Sequence, residues 1–138
     1  ISSGNSLPTS GKAFVSVKDD DKAKILSLCA SLISLGFDII STKGTHEYLK
    51  KNNISSQIVK KVKEGSGNIV DLMKNAEIDI LVNTTSTKKE ILESFSIRRT
   101  ALIKQVPYFT TIAGATAAID AIDYLKKGII KVKPLQEY

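Results

Sequence analysis

Asp38-Ile39-Ile40-Ser41-Thr42-Lys43-Gly44-Thr45-His46 runs from apolar to polar and then into helical spacing. Ile39 and Ile40 read as a buried strand, Ser41 to Thr45 as a turn, and Glu47-Tyr48-Leu49-Lys50 as the start of a helix. At a strand–turn–helix junction the first-turn N–H groups point outward, and the helix dipole adds positive potential. Gly44 lets the backbone approach a ligand, Thr42 and Thr45 offer hydroxyls, and Thr45 is a good N-cap residue. The turn suits an anion cradle, for a phosphate above all. It suits an ordinary capped β–α turn as well.

Working outward, the same alternation of strand and helix recurs on both sides. Gly11-Lys-Ala-Phe-Val-Ser-Val17 has the β-branching of a first strand. Asp20 or Asp21 can cap the helix that follows, in which Ile25, Leu28, Cys29, Leu32 and Leu35 form an apolar stripe. Gly36 ends it. Lys22, in the first turn, works against the dipole unless an anion lies beside it, and on the residues alone it reads as a solvated lysine among aspartates. Cys29 lies on the apolar stripe and reads as core.

Downstream, Asn52-Asn53 stops the second helix and Ile54 to Val59 reads as a third strand. Three lysines then precede a Gly/Ser loop, which reads either as a solvated basic loop or as one in which alternation turns Lys61 toward the anion site. Asn68 caps a helix to Asn75, with Ile69, Leu72 and Met73 inward. Ile78-Asp79-Ile80-Leu81-Val82 is the clearest buried strand, and Asn83-Thr84-Thr85-Ser86-Thr87 follows it. Lys88 to Glu93 reads as an irregular charged flap. Ser94 or Ser96 caps a helix that carries Arg98-Arg99, a pair suited to an acidic neighbour, a phosphate, solvent or a domain contact. Val106 to Thr110 reads as a last strand. Thr110 or Thr111 caps a helix through Lys127, Gly128 ends it, and Ile129 to Val132 reads as an edge strand.

Five β/α units predict an α/β fold with a parallel sheet. In such a sheet, ligands bind beyond the carboxyl ends of the strands where strand order reverses. Ser16, the Thr42–Thr45 turn and the Asn83–Thr87 segment are then expected to meet in one crevice.

Composition narrows the partners. The 138 residues, 42% hydrophobic and 25% charged, suit one globular domain with a real core. A net charge of +6 favours an anionic ligand. Aromatic content of 6%, without Trp, and basic residues spread along the chain argue against a nucleic-acid surface. A single Cys and a single His exclude an internal disulfide and a structural zinc site, and suit a reducing, cytoplasmic setting. No apolar run approaches the ~20 residues of a membrane span. The chain opens at Ile1 with a Ser/Gly/Pro-rich stretch, so residues 1–10 are expected to be an interdomain linker and 11–138 the domain.

The segments Gly11–Val17, Gly36-Phe37, Thr42-Lys-Gly-Thr45, Val62-Lys-Glu-Gly65, Asn83-Thr-Thr-Ser86, Ile97-Arg-Arg-Thr-Ala-Leu102 and Tyr108-Phe-Thr-Thr111 together resemble the methylglyoxal-synthase-like domains. More narrowly, they resemble the C-terminal allosteric domain of the large subunit of bacterial carbamoyl phosphate synthetase. That resemblance implies a three-layer, Rossmann-like domain with a five-stranded parallel sheet of order 3-2-1-4-5. It implies regulation of an enzyme of pyrimidine and arginine biosynthesis that makes carbamoyl phosphate from glutamine, bicarbonate and ATP. The chemistry, with its ATP, Mg2+ or Mn2+ and K+, belongs to domains absent from this chain, which itself is expected to hold no cofactor or metal and to be non-catalytic.

The implied ligands are UMP and IMP in one pocket. Lys22, Thr42, Gly44, Thr45 and Lys61 fall around the phosphate, with Asn83, Thr84, Thr85 and Ser16 beside them. Tyr108 and Thr110 match the domain's share of an ornithine site. The implied partners are the remaining domains of the large subunit, the small glutaminase subunit and a second copy of the domain. The alternatives are a methylglyoxal synthase acting on dihydroxyacetone phosphate, which lacks its expected pocket histidines here, and the inosine-ring-closing domain of purine synthesis.

Overall fold

The computed structural model describes residues 7–135, with side chains through residue 128; residues 1–6 of the expected linker lie outside the described residues. Five parallel strands form one sheet: β1 (Gly11–Ser16), β2 (Phe37–Ser41), β3 (Gln57–Ile58), β4 (Ile80–Asn83) and β5 (Tyr108–Phe109). Their order is β3-β2-β1-β4-β5, as the resemblance implied. β1 is central, with Ala13 facing Ile39 on one side and Ile80 on the other.

Period-two alternation on buried strands divides the core in two. Ala13, Val15, Ile39, Ile80 and Val82 point to one face, where they meet α1 (Ile25–Ser34), α2 (Lys43–Lys51) and α6 (Ile112–Leu135). Phe14, Ile40 and Leu81 point to the other, against α3 (Ile69–Lys74) and α5 (Phe95–Lys104). Each large side chain buried this way stabilises by roughly 1.5–3 kcal/mol. Leu7 packs against the first core from just ahead of β1. Cys29 is fully buried in that core, as its place on the stripe predicts, and burial pushes its thiol up to about 12.

Two glycines are forced by geometry. Gly11 has φ +128°, and a Cβ there would run into the carboxylate of Asp79, which accepts the Lys12 N–H at 2.8 Å. Gly36 has φ +103° and ends α1, its N–H donating to the Ile33 carbonyl.

Several local expectations are corrected. Asp19–Lys24 forms a 3-10 turn ahead of α1 with Lys18 at its cap position and no side-chain cap bond. The aspartates pair within the segment instead, Asp19 with Lys22 and Asp21 with Lys24. Thr42, rather than Thr45, holds the N-cap position of α2. The third strand shrinks to Gln57–Ile58, because at the sheet edge only Ile40 and Ser41 pair with it.

Residues expected to form a flap are a helix, α4 (Lys88–Glu93), nucleated by a capping box between Thr87 and Glu90. Ser94 makes no cap bond for α5, because α4 runs straight into α5 and the Ser94 hydroxyl donates to the Glu90 carbonyl. Gly128 does not end α6, and residues 129–132 are helix rather than an edge strand. One interior glycine costs ~1 kcal/mol against alanine, which a helix of this length absorbs.

Candidate functional site

The sheet order reverses at β1, whose neighbours β2 and β4 connect in opposite directions. At the carboxyl ends of these three strands lies a cavity of about 410 Å³. Its lining includes Ser16, Lys22, Thr42, Gly44, Thr45, Lys61, Asn83, Thr84 and Thr85, so the structure brings together all nine residues assigned to the nucleotide pocket from sequence. Tyr108 and Thr110 do not line it. Thr110 is exposed beyond β5, and Tyr108 reaches the wall only through Asn83.

The wall is stitched between strand ends. The hydroxyls of Ser16 and Thr42 meet at 2.8 Å. Val17 N–H donates to Thr45 Oγ1 at 3.2 Å, and Lys18 N–H donates to Thr84 Oγ1 at 3.0 Å. Thr84 N–H returns a bond to the Ser16 carbonyl at 3.0 Å. Thr45 and Thr84 thus each accept from the backbone of β1's exit and keep their own O–H to donate. Asn83 spends its amide N–H groups on Ser94 Oγ and the Tyr108 hydroxyl, both at 3.0 Å, which leaves its carbonyl as an acceptor.

Beside this wall stands the N-terminus of α2. The Thr42 hydroxyl is committed to Ser16 and makes no cap bond, so the first-turn amides of α2 keep their anion-binding capacity. Lys22 Nζ sits over the same end, 3.5 Å from where a Cβ on Gly44 would lie. Its side chain is 22% exposed and pairs with Asp19 at 2.5 Å. That pairing, by hydrogen bond and by charge, holds the Asp19 carboxyl below its usual range.

The lining also holds groups that the sequence reading did not assign. Lys18 and Lys63 add positive charge, and Asp19, Asp20, Glu90 and Glu93 balance it. Lys63 Nζ lies 3.7 Å from Glu93 Oε2, which ties the turn Val62–Glu64 to α4 across the cavity. Glu90 accepts from Ser86 N–H and hydroxyl and from Thr87 N–H; these bonds, with the charge of Lys61, hold its carboxyl below the usual range. The Thr87-x-x-Glu90 spacing was the available signal for this rim.

His46 turns away to Ser56, 2.6 Å from its Nδ1, and does not line the cavity. Among the described residues no cluster of three or more His, Cys, Asp or Glu side chains could hold a metal ion, and no helix is long and apolar enough to cross a membrane.

Hydroxyls, helix amides and lysines gathered at a switch point define a doubly wound α/β domain built around a polar, ligand-sized cavity. A sequence profile of MGS-like domains matches residues 24–110, and the chain belongs to that family. The profile leaves out β1 with Ser16, and Lys22 as well.

The chain is 49% identical over 138 residues to the carbamoyl phosphate synthase large chain of Myxococcus xanthus, covering 100% of this chain and 13% of that one. It is 41% identical over 138 residues to the carbamoyl phosphate synthase large chain, C-terminal section, of Methanopyrus kandleri, covering 99% of this chain and 26% of that one. The chain therefore spans only a small part of these relatives. A crystal structure of methylglyoxal synthase from Elizabethkingia anophelis superposes with a TM-score of 0.61 at 15% identity, over 82% of this chain and 79% of that one. At that identity the likeness is one of fold.

Proposed function

We propose that this chain is a regulatory domain of a carbamoyl phosphate synthase large chain and that its cavity binds a nucleoside monophosphate effector, UMP or IMP. The observation that carries the reading is the meeting of the α2 N-terminus with Lys22, Lys61 and the hydroxyls of Thr42, Thr45 and Thr84 in one cavity. The phosphate sits at the helix end, between Lys22 and Lys61, and takes hydrogen bonds from the first-turn amides and the Thr45 hydroxyl. The Asn83 carbonyl accepts from a ribose hydroxyl, and Ser16 and Thr85 lie beside it. Tyr108 and Thr110 contribute to a separate ornithine site.

Regulation follows by population shift: an effector that prefers one fit of the domain against its neighbours changes activity elsewhere in the enzyme. The catalytic steps, with ATP, Mg2+ or Mn2+ and K+, lie in other domains and use glutamine through a small subunit. The domain alone is non-catalytic, and the whole enzyme is cytoplasmic.

Calorimetric titration of the chain with UMP, IMP and uridine tests this reading. Binding of one or both nucleotides in the micromolar to millimolar range, absent for uridine, is the expected result. Equal binding of uridine removes the phosphate site, and the absence of all binding, in this chain and in the intact large chain alike, removes nucleotide control.

A further inference from the structure

The single histidine of the chain lies outside the cavity, on the helix whose N-terminus forms part of its wall. His46 sits in the first turn of α2, where its N–H donates to the Thr42 carbonyl at 2.8 Å. The ring is half-buried and ends a relay that begins in the sheet. Ser41, the fully buried last residue of β2, donates to Ser56 Oγ at 3.0 Å, and Ser56 Oγ lies 2.6 Å from His46 Nδ1. The Ser56 proton is left for Nδ1, so the neutral ring is the Nε2–H tautomer. Protonation makes Nδ1 a donor. Ser56 Oγ then accepts from both sides, and its own proton turns away. Ser56 is only half-buried, so water can take that proton's bond.

The charges near the ring belong to α2 and its N-terminal end. Lys43, Glu47 and Lys50 are exposed along α2, with Tyr48 half-buried, and Lys22, paired with Asp19, stands over Gly44. The elements packed against this side of α2 add none. Ile39 and Ser41 come from β2, and the segment Asn52-Asn-Ile-Ser-Ser-Gln-Ile58 has no titratable side chain. Asp38 of β2 falls on the other sheet face, with Ile40. Among the described residues no carboxylate pairs with His46.

We infer that binding of a dianionic phosphate at the α2 N-terminus is coupled to uptake of a proton by His46. The coupling rests on the phosphate site proposed above. About 6 Å of helix axis separates the cap from His46, less than a Debye length, so the phosphate's charge attracts an imidazolium there. By reciprocity the proton favours the phosphate by the same factor. Imidazole is the side chain whose ordinary charge change falls between about pH 5 and 8. Affinity for a phosphate that stays dianionic therefore rises as pH falls through that range.

One histidine in the chain gives one imidazole signal by NMR. It is titrated over about pH 5 to 8 in the chain alone, with saturating UMP, and with uridine. The expected midpoint is about half a unit higher with UMP, equivalent to about a threefold gain in affinity, and unchanged with uridine. A midpoint that stays put while the Gly44 and Thr45 amide signals show UMP bound overturns the coupling and leaves the phosphate site standing. Amide signals that do not respond to UMP overturn both. Calorimetry near pH ~6.5, in buffers of high and low ionisation enthalpy, counts the protons. The unaltered chain is expected to take up more protons per UMP than His46→Gln, in which the titration of the ligand itself remains. Equal uptake by the two overturns the coupling.

Discussion

The side-chain amide of Asn83 donates to the hydroxyl of Tyr108 at 3.0 Å, tying the last residue of β4 to the first residue of β5 behind the cavity wall. The residues proposed for two separate ligands are joined by this one hydrogen bond. Tyr108→Phe is therefore expected to lower stability by ~1 kcal/mol and to weaken nucleotide binding, though by less than Asn83→Ala does. Thermal unfolding and UMP titration of the two variants check the ranking. A larger binding loss from Tyr108→Phe would mean that Tyr108 itself touches the nucleotide.

Lys61→Ala should cost ~1–3 kcal/mol of nucleotide affinity through loss of a charge-assisted bond, with little change in stability, because Lys61 is exposed. Thr45→Ala should cost affinity in the same range and also stability. Thr45 Oγ1 is the acceptor for the buried Val17 N–H, which the variant leaves unpaired. Affinity unchanged in both variants removes the phosphate site.

Glu93→Gln frees Lys63 from its 3.7 Å pair and removes one of the negative charges on the rim. An anionic ligand is then expected to bind more tightly, with a steeper dependence on salt. Stability should change by less than ~1 kcal/mol, since the pair is partly solvated. Titration at two salt concentrations checks the sign; weaker binding would mean that Lys63 holds the ligand only while Glu93 orients it.

Glu90 supplies a pH dependence whose sign is fixed. Its folded carboxyl ionises below its unfolded one, so its contribution is complete above the unfolded value and is lost as pH falls through the folded one. The Ser86–Thr87 end of α4 is expected to lose amide protection in acid, and Glu90→Gln should abolish that step. Amide exchange followed by NMR across the acid range reads both.

Cys29 works in the opposite direction. Burial raises its thiol to about 12, so folding favours the protonated form and stability declines as pH rises above the ordinary thiol range. Labelling by a thiol reagent near pH 8 should proceed only as the domain unfolds. Fast labelling of the native chain would contradict the burial.

The fold was legible wherever a residue's role depends on local spacing. Ile39-Ile40 and Ile80-Leu81-Val82 are apolar runs that only a doubly covered strand explains, and the polar stretches after them mark the crevice. What stayed hidden depends on tertiary partners. Thr45 looks like a cap, yet its hydroxyl serves Val17, a residue of another strand's exit. Lys88 to Glu93 looks irregular by charge, because its helix is held by capping rather than by an apolar stripe. Gly128 is a stop signal that the rest of α6 outweighs. Of the rim carboxylates only Glu90 carries a local signal, its capping-box spacing from Thr87; nothing in the sequence around Asp19, Asp20 and Glu93 says that they face a cavity.

Ser16 and Asn83 stand side by side in register on β1 and β4, with β2 and Thr42 on the other flank of β1. No contiguous half of the polypeptide holds the pocket, so during synthesis its walls are complete only once β4 has emerged and been inserted. A ligand of this cavity cannot guide the early stages of folding, but it lengthens the life of the finished sheet by mass action. The cellular level of such a ligand would then govern how long the domain survives, as well as what it signals.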